Sequence, residues 1–477
     1  MNESRLSRLR EIVRSARPAT RELTYEPNVA GWPAGSPRPD PEQIAGLLDG
    51  RLARPASTLR EPRDGPGPVD ARRSPGQAVV IDREYASDRL HGRCPVRAAA
   101  EGCRTRHDAL SIIRAAWPVR SHAETIGPAR SAVEWSGPSP VEGRLLFVDI
   151  ETTGLNGGAG MFAFLIGCGF FDGDTFRTRQ LFLPSFSDEH RLLSEIAGLV
   201  GEAGAIVTFN GRTFDVPVME MRYLFHRRES PFGELPHIDM LHPARRLWKR
   251  RHVDSDWHAD GLDGHPQSCS LSALERGVLG FERVDDVPGF EIPGRYFQYL
   301  RTSDTRPLEP VLEHNRLDLL SLAVLTSVVL RLVAEGADAA ADARECLELG
   351  RLFERAGQVD RGTACYRRAV EWAGPTDELD QAEALVALAL AFRGERRYGE
   401  AAELCERVLT LRSCPPVFTR HALHILAVHH EHRSRDLHRA RSFALRSLDQ
   451  AEPARRHRVT HRIARIDRKL LAGRGSG

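Results

Sequence analysis

The sequence predicts a mixed α/β sheet flanked by helices over residues 141–335, followed by an all-α helical repeat region over 342–452. Three observations carry that expectation. Short apolar runs of strand length alternate with helical patterns from Val141 onward, and Ala, Leu and Arg at helical spacing dominate after Glu335. Residues 1–139 are rich in Pro, Gly and Arg, which predicts a largely irregular, partly disordered N-terminal region with one amphipathic helix at Leu6–Val13.

Composition narrows the function classes. A chain of 477 residues has room for roughly two to four domains. No run reads as a membrane span, and the Met1-Asn-Glu-Ser-Arg start lacks a signal peptide's apolar core, so a soluble cytoplasmic protein with no membrane partner is expected. The eight cysteines (94, 103, 168, 269, 346, 365, 405, 414) show neither a C-x-x-C pair nor zinc spacing and are expected to be reduced and mostly buried. Net charge is +2, and Lys249 and Lys469 are the only lysines. Arginine forks readily onto phosphate, so the bias allows nucleic acid without requiring it.

The first strand of the sheet is Arg144-Leu-Leu-Phe-Val-Asp149-Ile-Glu151-Thr-Thr-Gly154, an apolar run ending in two acids. Residues i and i+2 share a strand face, so Asp149 and Glu151 lie side by side. Two anions that close repel, and neither is cheaply buried without a cation, which a divalent metal would supply. Taken in isolation, the segment reads first as an edge strand with two solvated acids, and only the later motifs reverse that preference. Met161–Phe171 and Thr175–Pro184 follow as strands joined by an Asp172-Gly-Asp174 hairpin turn, then a helix from an N-cap at Ser187 through Val200, then a strand at Ala205–Phe209.

Directly after that strand, Asn210-Gly-Arg-Thr-Phe214-Asp215 opens a helix to about Arg228, which sets Asp215 at a helix N-terminus facing the sheet end. An acid favoured by the helix dipole fits as well. Trp248, on the basic stretch Ala244–Arg251, suits either base stacking or a half-buried helix face. The loop bearing His252, His258 and His265 has metal-like residues without regular spacing. A long helix at about Leu308–Glu335 closes the domain and projects His314 and Asp318 from one face, one turn apart, as a site or as a plain ion pair.

Together, Asp-x-Glu, Asn-x-x-x-Phe-Asp and His-x-x-x-Asp resemble the motifs of the DEDD superfamily of 3'-to-5' exonucleases. More closely, the chain resembles a bacterial branch of ribonuclease-H-like proteins that carry tetratricopeptide repeats behind the nuclease domain. The resemblance implies a ribonuclease-H-like sheet over 141–335, with Asp149 and Glu151 as the first motif, Asp215 as the second and Asp318 as the last acid, all four holding metal. It implies His314 as general base, Thr152, Thr153 and Leu155 meeting the terminal nucleotide, and Asn210 and Phe214 positioning the motif or the substrate. The expected activity is hydrolysis of single-stranded DNA or RNA with two Mg²⁺ or Mn²⁺ ions, which hard oxygen ligands favour over zinc. A non-catalytic nucleic-acid-binding or scaffolding adaptor and an endonuclease are the alternatives. One departure stands out: His314 precedes Asp318 by four residues, the interval of the tyrosine-bearing branch, whereas histidine-bearing members use five.

Behind this domain, Leu349, Gly350, Phe353, Gly357, Tyr366 and Ala369 fall at tetratricopeptide intervals, with Cys346 where that family often has tryptophan. Gly362, Ala401 and Ala440 recur at 39 residues, which reads as a 34-residue unit with a five-residue insertion in its turn. Such stacked pairs imply a protein partner, a plain helical bundle being the alternative. Residues 453–477 are expected to form a basic tail.

Overall fold

The computed structural model describes residues 70–72, 79–105, 107–116, 143–154, 160–233, 235–248, 269–373, 378–450 and 453–474. The Leu6–Val13 helix, Leu155 and the histidine-bearing loop at 249–268 lie outside them. The chain divides into two compact units, one drawn from residues 1–101, 117–240 and 279–325, the other from 102–116, 241–278 and 326–477.

The first unit is built on a sheet of seven strands among the described residues: β1 (Asp70–Arg72), β2 (Val79–Tyr85), β5 (Arg144–Thr152), β6 (Ala163–Asp172), β7 (Thr175–Phe182), β8 (Ala203–Thr208) and β9 (His237–Asp239). A separate ribbon pairs β3 (Leu90–His91) with β4 (Cys94–Pro95). The sheet order is β1-β2-β7-β6-β5-β8-β9. β5, β6 and β7 form an antiparallel meander, after which the helix Glu189–Gly201 carries the chain to β8, parallel to β5. Being central, β5 is apolar almost throughout, with Leu145 to Val148 and Ile150 buried. Helix Ile292–Thr302 packs aromatic residues on the meander, where Tyr296 stacks on Phe164 at 4.1 Å and donates its hydroxyl to the Leu183 carbonyl at 2.9 Å.

Three expectations need correction. Within the N-terminal region expected to be irregular, residues 79–116 supply a full-length sheet strand and two helices, Val96–Thr105 and His107–Ala116. β2 hides Val79, Ile81 and Tyr85 and pairs along β7, so a short alternation inside Arg- and Pro-rich chain is rescued by its partner strand. Ser187 sits in a 3₁₀ turn, Phe186–Asp188, and Asp188 takes the N-cap position of the following helix. Finally, the segment 306–338 is a helix long and apolar enough by length and composition to cross a membrane, against the expectation of none. Its most apolar window is 72% buried inside the protein, as in a core helix.

In the second unit, Trp248 is buried at the end of helix Leu241–Trp248 and donates to Glu345 at 2.7 Å, so its ring is not free to stack on bases. Antiparallel helix pairs follow: 343–355 with 359–372, 378–394 with 398–408, and 416–432 with 437–449. Each tight turn holds one left-handed residue, Gly357, Arg396 and Arg435, and these recur every 39 residues. Gln358 and Arg397 repeat the same backbone bond, each donating to the carbonyl five residues earlier. The turn within each of the first two pairs is therefore tight and carries no five-residue insertion, while the first helices of the second and third pairs run to 17 residues. The last helix, Pro453–Arg474, occupies the expected tail and caps the stack through Arg465 and Lys469 on Glu431. All eight cysteines are free thiols, and six are buried.

Candidate active site

The carboxylates converge because three backbone elements end or pass at one place in the first unit. Asp149 and Glu151 lie on β5, each half-buried and followed by a buried strand neighbour, Ile150 and Thr152. Asp215 is the first residue of the helix Asp215–Phe225, which follows β8, the parallel neighbour of β5. His314 and Asp318 lie on consecutive turns of the helix Glu309–Glu335, with Nε2 of His314 3.5 Å from Asp318.

The helix reaches the sheet through a missing side chain. Gly167 on β6 stands opposite Asp149, and any Cβ there would collide with the carboxamide of Asn315. That carboxamide is fully buried, donates to Asp149 Oδ2 at 2.8 Å and to its backbone carbonyl at 3.2 Å, and is itself oriented by Gln180, which donates to Asn315 Oδ1 at 2.8 Å. Asp215 is fixed by a second scaffold. β9 ends in Asp239, which accepts the backbone N–H groups of Asn210 at 2.8 Å and Arg212 at 3.1 Å and so pins the loop between β8 and the Asp215 helix. Asn210 holds φ at 66°, a region asparagine tolerates better than most residues. From the far end, Arg222 of the same helix makes a buried two-pronged bond to Glu189 at 2.5 Å, with His226 2.7 Å away on Glu189 Oε2.

These acids oppose one another. Burial pushes the Asp149 carboxyl well above its usual range, and Asp318, Glu151 and Asp215 push it further, against the hydrogen bond from Asn315. Glu151 is raised by burial and then by Asp318, Asp215 and Asp286, with Arg283 opposing. Asp215 is pushed up to about 8 by burial, then by Asp239 and Asp318. A cluster of hard oxygens that resists ionisation in the absence of a cation is chemically suited to a hard divalent ion. As the side chains stand, no group of three or more His, Cys, Asp or Glu among the described residues is set closely enough to hold a metal ion.

Two residues that the sequence reading missed complete the site. Arg283, whose side chain is 6% exposed, donates to Asp318 Oδ1 and at 3.3 Å to Asp286 Oδ2. Asp286 Oδ1 lies 2.7 Å from Nδ1 of His314. No periodic signal marks them, since both lie in the loop before the helix Ile292–Thr302. Asn315 was legible in principle, as a lone amide among the leucines of an apolar helix.

The residues expected to meet nucleotide are engaged locally. Thr152 Oγ1 donates to the Gly154 carbonyl at 2.6 Å, Thr153 Oγ1 accepts from the Phe162 N–H at 3.0 Å, and Asn210 Oδ1 accepts from Thr213 Oγ1 at 2.8 Å. Phe214 is half-buried against the core.

Residues 146–330 match the family model RNase_H_2, of the RNase_H superfamily. The chain is 30% identical over 329 residues to the uncharacterized protein YprB of Bacillus subtilis (strain 168), covering 68% of this chain and 75% of that protein. Among solved structures it is similar to the family B DNA polymerase from the hyperthermophilic archaeon Pyrobaculum calidifontis, at 15% identity and a TM-score of 0.31, covering 48% of this chain and 29% of that chain.

Proposed function

The chain belongs to the ribonuclease H superfamily, in the family of YprB, and from that premise we propose that it is a metal-dependent nuclease of the cytoplasm, a 3'-to-5' exonuclease acting on single-stranded DNA or RNA. The observation that carries the reading is the gathering of Asp149, Glu151, Asp215 and Asp318 around one point, where burial and mutual repulsion raise the first three. A structural acid is ordinarily paired, so clustered and repelling acids cost stability in their ionised form, which a bound divalent cation would recover.

Asp149, Glu151, Asp215 and Asp318 would hold Mg²⁺ or Mn²⁺. When bound, such ions acidify a water and stabilise the leaving oxygen of a phosphodiester. The chain's own residues do the rest. Asn315 holds Asp149 in one rotamer. Asp286 holds Nδ1 of His314, which leaves Nε2 on the Asp318 side to take the proton of the attacking water. The helix pairs of the second unit suit a tetratricopeptide-type role, presenting a concave face to a segment of a protein partner.

The test is Mn²⁺-dependent degradation of 5'- and 3'-end-labelled oligonucleotides of DNA and RNA by the full chain. Shortening from the 3' end that vanishes in Asp149→Ala supports the reading. Equal behaviour of wild type and Asp149→Ala on both substrates overturns it.

A further inference from the structure

The sole cationic group in contact with Asp318 among the ion pairs of the described residues is Arg283, apart from His314 when protonated. It comes from a loop and not from the helix that carries Asp318. Its guanidinium is nearly sealed from solvent and is held on a second side by Asp286. Asp318 is also the acid that acts most strongly, after burial, on both Asp149 and Glu151. The chain thus delivers its own positive charge to the acid whose negative charge bears most on Asp149 and Glu151.

A guanidinium is always charged and has no acceptor, so it shares a carboxylate oxygen with a divalent ion only against direct repulsion. We infer that Arg283 is a displaceable counter-cation of the carboxylate cluster, holding Asp318 in the metal-free protein and competing with the divalent ion for it. This rests on the metal-dependent reading above. Arg283 is then a positioning residue whose grip sets how much metal is needed to assemble the site. Asp286 is the seat to which the guanidinium retires, because that contact does not involve a proposed metal ligand.

The experiment is calorimetric titration of the full chain with Mn²⁺, alongside thermal unfolding in EDTA and in saturating Mn²⁺, for wild type, Arg283→Gln, Arg283→Lys and Asp149→Asn. Removing one charge-assisted hydrogen bond from the competitor predicts Mn²⁺ binding to Arg283→Gln roughly tenfold to a hundredfold tighter than to wild type. The same variant should melt below wild type in EDTA and recover that deficit in Mn²⁺, a crossover that a merely structural arginine would not produce. Arg283→Lys, which keeps the charge but loses the fork, should bind Mn²⁺ with intermediate affinity and serves as the test if the glutamine variant does not fold. Equal or weaker Mn²⁺ binding by these variants, with wild type still binding and Asp149→Asn not, overturns the inference and leaves the nuclease reading standing. Failure of wild type to bind Mn²⁺ overturns both.

Discussion

Glu431 in the helical unit and Asp215 in the sheet unit are both buried acids, yet they titrate at opposite ends of the scale. Burial alone would raise Glu431, but Arg465 at 2.7 Å and Lys469 at 2.8 Å hold it down to about 2. Asp215 is raised by burial to about 8, with Asp239 and Asp318 adding to the rise and no opposing cation among its causes. Glu189 is likewise given a cation, the two-pronged guanidinium of Arg222. Where an acid serves the architecture, the fold brings it a cation. Around Asp149 the fold brings other acids and, among the described residues, the Arg283 guanidinium on Asp318, which is the arrangement the proposed metal binding rests on.

The comparison can be broken at several points. Asp149→Asn should lower nuclease activity by about 10³-fold or more, while raising the metal-free melting temperature because it removes one member of the repelling set. Loss of activity together with loss of stability would argue for an ordinary structural acid. Arg222→Met should leave the buried Glu189 with His226 in place of its two-pronged guanidinium partner and destabilise the protein by about 3–5 kcal/mol in urea titrations.

The two patterns also predict opposite pH slopes. The carboxyl of Asp215 is raised from 3.8 to about 8, so its ionised form is penalised in the folded state. Without divalent ions, stability should fall as pH rises from about 4 toward 8, and Asp215→Asn should flatten that fall. Glu431 is lowered from 4.5 to about 2, so its contribution is complete above 4.5 and disappears as pH drops through 2. Glu431→Gln should flatten that acid limb instead. Thermal melts of the full chain across this range distinguish the two slopes.

Smaller effects sharpen the picture. Gly167→Ala should push Asn315 away from Asp149 and cost about 1–3 kcal/mol through overpacking, with activity falling further than stability requires. Arg396→Gly and Arg435→Gly should each stabilise the helical unit by about 0.5 kcal/mol, since relief of about 1 kcal/mol of left-handed strain is partly offset by unfolded-state entropy. In the first pair Gly357 already stands at that position.

Much of the site was legible because its acids sit where local patterns change. Asp149 and Glu151 end an apolar strand, Asp215 begins a helix, and His314 and Asp318 share a helical face. The repeat period was legible too, as Gly362, Ala401 and Ala440 are all buried positions in the second helices of successive pairs. What escaped were elements that only a partner stabilises: β2, recognisable once it lies along β7, and β9, three residues long and useful because Asp239 reaches back to Asn210 and Arg212.

By itself the sequence determined the central strands, the helices and the order in which the carboxylates arrive, because apolar periodicity and turn residues act over a few positions. Tertiary structure decided which charges meet. Arg283 lies 35 residues from Asp318 and Asn315 lies 166 from Asp149, and no local spacing records either pairing. Their contacts depend on the path of a loop and on the closeness of a helix to Gly167, which are properties of packing.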